Sequence, residues 1–280
     1  MGRDLVNATP PPYHVAMSNR NRSLRLLIYT VLAAAALSLY AWCLPGAPGH
    51  RILAERGPFA GLPGDLPTYG LRFAASALVL GVLPVLAVVV LTRLERRRRG
   101  RPAGADAAIP GLRATLGLGM PSRSFFAWRP FLVLWAAALL IGVLGAFSPG
   151  LAEVYPYSRT LTVEAASAGA FLIHAGAYLL TFYLPWELFF RGLLILPLLE
   201  AFTDDPRSLG PETFAAASLQ AIPSTLLHFG HPLSESLAAL AFGLLAGYLV
   251  LRFRCIWPSL ILHVSAGIAL DATLVLRSLG

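Results

Sequence analysis

The chain contains no lysine, and charged residues of any kind are scarce. Only 13% of its 280 residues are charged, whereas 56% are hydrophobic, and the mean hydropathy is +0.67. A soluble domain usually carries about a quarter charged residues. This shortage excludes a disordered chain, a coiled coil and an ordinary soluble enzyme. All 22 basic residues are arginines, which is typical of a GC-rich, bacterial genome.

Cysteine is almost absent too. Cys43 and Cys255 lie far apart, without the spacing of a metal or redox motif, and are interpreted as packing residues. The net charge of +8 does not indicate a nucleic-acid partner, because the arginines form short clusters beside apolar runs. Such clusters are typical of membrane-protein loops. We therefore expect the lipid bilayer, and no nucleic acid, as a partner.

The apolar runs predict an all-α polytopic bundle of about seven or eight spans. Residues 1–24 are predicted to be a disordered cytoplasmic tail, and residues 25–147 to form a three-span region with a basic loop at 93–129. Residues 165–276 are predicted to form a second helix bundle. The expected spans are 26–44, 73–91, 131–147, 164–202, 213–229, 234–251 and 256–276.

The run 164–202 is too long for a single perpendicular span. As one helix it would extend roughly 55 Å, whereas the hydrocarbon core is about 30 Å thick. Pro185 interrupts it, so a kink, a projecting end or two helices are all open. Most arginines fall on the side of the N-terminus. This distribution predicts a multi-pass protein of the bacterial inner membrane with a cytoplasmic N-terminus.

Two acidic residues, Glu187 and Asp271, lie inside predicted spans. A charge near the membrane centre costs about 2.5–3.5 kcal/mol on insertion scales, so such residues are usually paired and often functional. Glu187 and Arg191 are four residues apart and share a helix face. They are either a self-neutralising ion pair or a buried carboxylate that serves as a general base.

Two histidines are candidate partners of these acids. His228 follows an apolar helix. His263 and Asp271 share one face of the last helix, so Asp271 is a candidate to orient a neighbour of His263, or His263 itself through a water. His174 precedes Glu187 by thirteen residues and, at about 100° per residue, faces away from it. We expect His174 to lie outside the site and His231 to have a loop role.

The order of these residues resembles the CPBP family, which includes CAAX prenyl endopeptidases and bacteriocin-processing intramembrane proteases. The resemblance covers about residues 165–276. It rests on Glu187-x-x-x-Arg191-Gly, a helix that ends in His228, a Gly-x-x-x-Gly pair, and Arg-x-x-x-Trp-Pro followed by His263. Some of these forms are also similar to myxosortase-like sorting proteases.

The resemblance implies an endopeptidase that cleaves a membrane-anchored protein or peptide with an activated water. Glu187 would be the base, His228 would position the water, and His263 would donate to the oxyanion. Asp271 would orient His263, while Arg191 would hold Glu187. No cofactor is implied, although Glu187, His228 and His263 also match a three-ligand zinc site.

Three positions depart from the family motifs. Trp186 stands in place of a first glutamate, Ser224 in place of a phenylalanine, and Gly267 in place of an asparagine or aspartate. Two non-protease hypotheses therefore stay open, namely a non-catalytic scaffold or regulator of the same fold, and a proton relay or transporter that uses Glu187 and Asp271.

Overall fold

The computed structural model describes residues 19–98, 112–121, 125, 128–202 and 209–279. Every regular element in these ranges is a helix. The α-helices are α1 Asn19–Trp42, α2 Pro48–Arg56, α3 Leu66–Ala75, α4 Leu83–Arg98, α5 Leu112–Thr115, α6 Pro130–Gly145, α7 Pro149–Val154, α8 Ala168–Ala177, α9 Leu184–Glu187, α10 Leu196–Phe202, α11 Pro211–Ser218, α12 Ala221–Leu226, α13 Leu233–Phe253 and α14 Trp257–Leu279. Four segments are π-helical: Ser76–Val82, Thr160–Glu164, Tyr178–Tyr183 and Leu188–Leu193.

Within the described ranges, four helical stretches are long and apolar enough to cross a membrane. They are Leu66–Leu94, Ala168–Leu199, Leu233–Phe253 and Trp257–Leu279, and two shorter apolar helices cover Leu26–Trp42 and Pro130–Gly145. The predicted all-α polytopic membrane bundle is thereby confirmed. We call Ala168–Leu199 the central helix, because 61% of its most apolar window is buried, against 39–44% for the other three.

Several predicted boundaries differ from the observed ones. Helix α1 begins at Asn19, so residues 19–24 belong to a helix and not to a disordered tail. Residues 1–18 lie outside the described part of the chain. The predicted basic loop likewise begins too early, because α4 continues through Arg93 to Arg98.

The central helix passes Pro185 without the predicted interruption. A proline lacks the N–H that an α-helix requires in its interior. Here a π-helical segment, Tyr178–Tyr183, directly precedes it, and Pro185 lies in the first turn of α9. A second π-helical segment, Leu188–Leu193, follows Glu187. Short π-helical insertions occur frequently at functional sites, and two of them flank this acidic residue.

The predicted span at 213–229 is instead two short helices, α11 and α12, with a turn at 219–220 between them. Pro223 cannot donate to the carbonyl of residue 219, so it favours a break in the helix at this point. The break leaves α12 ending at Leu226, just before His228. Because these helices are short, His228 does not lie at the far end of a complete membrane span.

Close backbone approach between α6 and α14 occurs at Gly142. A Cβ added there would overlap the Ala266 carbonyl and lie 2.9 Å from the Ala269 Cβ. Small residues at helix interfaces let membrane helices pack closely. Gly142 therefore fixes how α6 covers the outer side of α14.

Gly142→Ala is expected to destabilise the protein by about 1–3 kcal/mol, because the new methyl group overlaps backbone that cannot move independently. The matched control is Gly176→Ala in α8, where an added Cβ meets no atom within 4 Å. Thermal unfolding in detergent should show a loss for the first variant and no loss for the second. Equal stability of the two variants would contradict the packing of α6 on α14.

Candidate functional site

Glu187 lies at the end of α9, and its side chain is completely buried. Its Oε1 accepts a hydrogen bond from His263 Nδ1 at 2.8 Å. An ionised carboxylate can only accept, so the imidazole carries its proton on Nδ1 and presents a lone pair on Nε2 when it is neutral. The His263 side chain is 22% exposed. The pair therefore has one inaccessible member and one accessible member.

The other carboxylate oxygen of Glu187 faces Arg191. Arg191 Nε lies 3.3 Å from Oε2, and both side chains are fully buried. The guanidinium carbon is 5.5 Å from the ring centroid of Phe242 and 5.8 Å from that of Phe190. The ion pair expected from the sequence is present, but the same carboxylate also holds His263. Glu187 thus links a permanent cation to a titratable imidazole.

His228 lies just beyond α12 and contacts Trp186, the residue before Glu187 on the central helix. Its ring stands edge-on to Trp186 with centroids 5.6 Å apart, and its Nδ1 donates to the Ser224 carbonyl at 2.8 Å. This bond places the Nε2 lone pair of neutral His228 away from α12. Burial lowers the pKa of His228, although the Ser224 carbonyl and Glu235 oppose this effect. His228 is therefore held as a neutral hydrogen-bond acceptor.

Asp271 is hydrogen-bonded to His174, and the described structure shows no direct contact between Asp271 and His263. Its Oδ2 accepts from His174 Nε2 at 2.8 Å, and both side chains are completely buried. His174 Nδ1 also lies 3.1 Å from the Tyr69 hydroxyl. Asp271 thus belongs to a separate polar chain that joins the central helix, α14 and α3.

His174 contacts Asp271 and Tyr69, and not Glu187. A buried aspartate needs a partner, and Asp271 was the signal that a second histidine would be required within the membrane region. The requirement of buried Asp271 for a hydrogen-bond partner could therefore have identified His174 as a candidate.

The three motif departures have distinct surroundings. Trp186 is buried between Phe182 and Phe190, and among the described residues its indole Nε1 has no hydrogen-bond partner. Ser224 contributes its backbone carbonyl to His228. At Gly267, an added Cβ would overlap the Tyr183 hydroxyl. The Tyr183 hydroxyl from the central helix therefore occupies the space that a side chain at position 267 would fill.

A polar cluster that sequence reasoning missed closes the end of the bundle near His228. Glu235 accepts from the Tyr155 hydroxyl at 2.6 Å and lies 2.9 Å from His231 Nδ1. The Tyr155 hydroxyl is also 3.1 Å from that of Tyr157. Burial raises the pKa of Tyr155 well above its usual value, so this phenol stays protonated. His231 is indeed in a loop, where it ties that loop to α13.

The site offers no evident cradle for zinc. Within the described ranges, no group of three or more His, Cys, Asp or Glu side chains is arranged to hold a metal ion. His263 Nδ1 is hydrogen-bonded to Glu187 Oε1, so zinc ligation by these two residues would have to use the other atoms, His263 Nε2 and Glu187 Oε2.

Residues 168–268 match the family model described as type II CAAX prenyl endopeptidase Rce1-like. The match covers about a third of the chain and includes Glu187, Arg191, His228 and His263, whereas Asp271 lies beyond it. It supports the CPBP family of membrane proteases. Neither a curated protein nor a solved structure matches the chain.

The lowered pKa of His228 predicts a pH-dependent stability. Above the usual histidine pKa of about 6.5, this residue is neutral whether the protein is folded or unfolded. As the pH falls below that value, the unfolded chain gains a proton that the folded protein resists, so stability decreases. Thermal unfolding between about pH 7.5 and pH 5 should show this decrease.

The decrease should be smaller for His228→Asn, because the asparagine amide can still donate to the Ser224 carbonyl but does not titrate. His14→Asn is a control with the same loss of one imidazole, from the polar N-terminal segment. An identical pH dependence in wild type and His228→Asn would show that His228 is not held neutral by the fold.

Proposed function

We propose that this chain is an intramembrane endopeptidase that hydrolyses a peptide bond in a membrane-associated protein or in its C-terminal tail. The observation that carries the proposal is the bond between buried Glu187 and accessible His263. It lies within the segment that resembles a membrane protease family. A carboxylate that orients an imidazole is a recurrent arrangement for moving a proton in acyl-transfer chemistry.

The geometry favours His263, and not Glu187, as the group in contact with water. Glu187 has no exposed surface, and its two oxygens face His263 and Arg191. His263 Nε2 takes a proton from water while the water oxygen attacks the scissile carbonyl carbon. The Glu187 carboxylate stabilises the imidazolium that forms. The same proton then passes to the leaving amine as the carbon–nitrogen bond breaks.

The remaining residues support this proton transfer. Arg191 keeps Glu187 ionised and in place, because a buried carboxylate without a cation would take up a proton. His228 accepts a hydrogen bond from the water through Nε2, which its bond to Ser224 leaves available. Asp271 and His174 stabilise the packing of the central helix on α14 and take no part in the chemistry.

We place the protein in the inner membrane of a bacterium with its N-terminus in the cytoplasm. The clustered arginines support this orientation. The substrate class is a membrane-anchored protein, because a site inside a bundle is reached most easily from the bilayer. A C-terminal sorting tail of the kind cleaved by myxosortase-like proteases is one such substrate.

One observation favours a second candidate, a non-catalytic scaffold of the same fold. Trp186 occupies the position of a first motif glutamate and is surrounded by aromatic rings. A protein that had lost its base would tolerate such a replacement. The two candidates differ in what happens when the charge of Glu187 is removed.

Glu187→Gln is expected to reduce cleavage by about 10²–10⁴-fold, since an amide still accepts from His263 but cannot stabilise an imidazolium. The measurement compares new protein termini in native membranes that contain either wild type or the variant. Glu153→Gln, at an exposed acid of α7, is the matched control and should cleave like wild type. If wild-type membranes contain no new protein termini, or if Glu187→Gln leaves these termini unchanged, the result favours the non-catalytic scaffold.

Chelation separates the metal-free mechanism from the zinc alternative. We expect 1,10-phenanthroline to leave cleavage unchanged, because the described site contains no metal-binding group of side chains. Loss of cleavage that returns when zinc is added would instead establish Glu187, His228 and His263 as metal ligands.

A further inference from the structure

A histidine that accepts a proton from water cannot at the same moment donate to the oxyanion. Peptide hydrolysis passes through a tetrahedral intermediate, whose negative oxygen needs a hydrogen-bond donor. If His263 acts as the base, this donor must come from another residue. The candidates are donors next to His263 that are not already engaged with Glu187.

We infer that the Tyr183 hydroxyl donates a hydrogen bond to the carbonyl oxygen of the scissile peptide. This inference rests on the proposed function. Tyr183 lies on the central helix four residues before Glu187, and both side chains contact His263. Its ring stands edge-on to that of His263 with centroids 4.7 Å apart.

The Tyr183 ring and its hydroxyl have separable functions. The ring packs on one side of His263, and Phe242 lies against the same imidazole with centroids 4.8 Å apart. These contacts, together with the bond to Glu187, hold the imidazole in one orientation. The hydroxyl extends past His263 toward Gly267, which is one helical turn farther along α14.

Gly267 is the feature that admits the hydroxyl. Any side chain at this position would place its Cβ on the Tyr183 oxygen. The glycine has an ordinary helical backbone, so its value here is the space that it leaves and not a special conformation. A glycine in a helix interior costs about 0.5–1 kcal/mol relative to alanine. This destabilising glycine lies where the Tyr183 hydroxyl packs against α14.

A phenol suits the role of donor to an oxyanion. It holds its proton at neutral pH and presents a single O–H group. Tyr183 is only 4% exposed, so a bond to its hydroxyl would form where water competes little. Such a donor acts mainly after the carbonyl oxygen gains charge, and it therefore affects turnover more than substrate binding.

The test is Tyr183→Phe, which keeps the ring against His263 and removes only the hydroxyl. The probe is a reporter with one transmembrane anchor and a tail that wild type cleaves, selected from a randomised tail library. We expect kcat to fall by about 10²–10³-fold with little change in KM, as is typical for loss of one oxyanion donor. The melting temperature should stay close to that of wild type.

Tyr69→Phe is the matched control, because it also removes one buried hydroxyl, here the one next to His174. It should lower stability and leave kcat unchanged. A kcat within about threefold of wild type for Tyr183→Phe would overturn the inference. So would a parallel loss of kcat and stability in both variants, because that pattern indicates a structural role.

Gly267→Ala supplies a second, independent variant. Its methyl group displaces the Tyr183 hydroxyl, so kcat should fall while Glu187 and His263 are retained. The methyl group would also lie 2.6 Å from the Tyr183 ring carbon that bears the hydroxyl, so it displaces the ring as well, and its loss of kcat should be at least as large as that of Tyr183→Phe. A kcat for Gly267→Ala within about threefold of wild type would overturn the inference.

Glu187→Gln, measured with the same reporter, distinguishes failure of the proposed mechanism from failure of the role assigned to Tyr183. If it abolishes cleavage while Tyr183→Phe does not, only the role of Tyr183 fails. If Glu187→Gln cleaves like wild type, the proposed mechanism fails, and the assignment of Tyr183 fails with it.

Discussion

The arrangement of the bundle depends on one buried carboxylate. Glu187 is completely enclosed, and so is Arg191. Removing one member of a buried ion pair typically costs about 3–5 kcal/mol, because the other charge is left without compensation. The pair also reaches His263, so its stability requires α14 to lie beside the central helix. The hydrogen bond between buried Glu187 and His263 therefore contributes to the packing of α14 on the central helix.

A second polar contact makes this packing specific. The two helices run antiparallel, with Glu187 opposite His263 and His174 opposite Asp271. Apolar side chains give little directional preference within lipid, so polar pairs and small residues determine how membrane helices align. Sliding α14 by one turn would break both pairs, leaving Asp271 buried without a partner and Glu187 with Arg191 alone. Gly267 lies between these pairs and lets the Tyr183 hydroxyl approach.

The sequence predicted the parts of this structure that depend on composition and on the cost of burying charge. Scarce charge and long apolar runs predict the membrane bundle, and Glu187 and Asp271 are conspicuous because carboxylates are costly in lipid. It could not predict the path of the chain around Pro185, because two π-helical segments change the angular relation between residues on the central helix. The same irregularity limits any assignment of facing residues from 100° per residue. The partners of Asp271 and Gly267 depend on contacts between distant segments, and periodicity within one helix contains no information about them.

The motif departures are best understood as one connected change. With Trp186 in place of a carboxylate, His263 is hydrogen-bonded to one oxygen of Glu187, and Arg191 lies 3.3 Å from the other. The accessible side chain of the His263–Glu187 pair is the imidazole, so in the proposed mechanism the histidine, and not the carboxylate, contacts the water. In that mechanism the oxyanion needs a donor other than His263. The glycine at position 267 creates the space in which the Tyr183 hydroxyl can take that place. Trp186 and Gly267, which separately suggest an inactive protein, are together consistent with a redistributed set of catalytic roles.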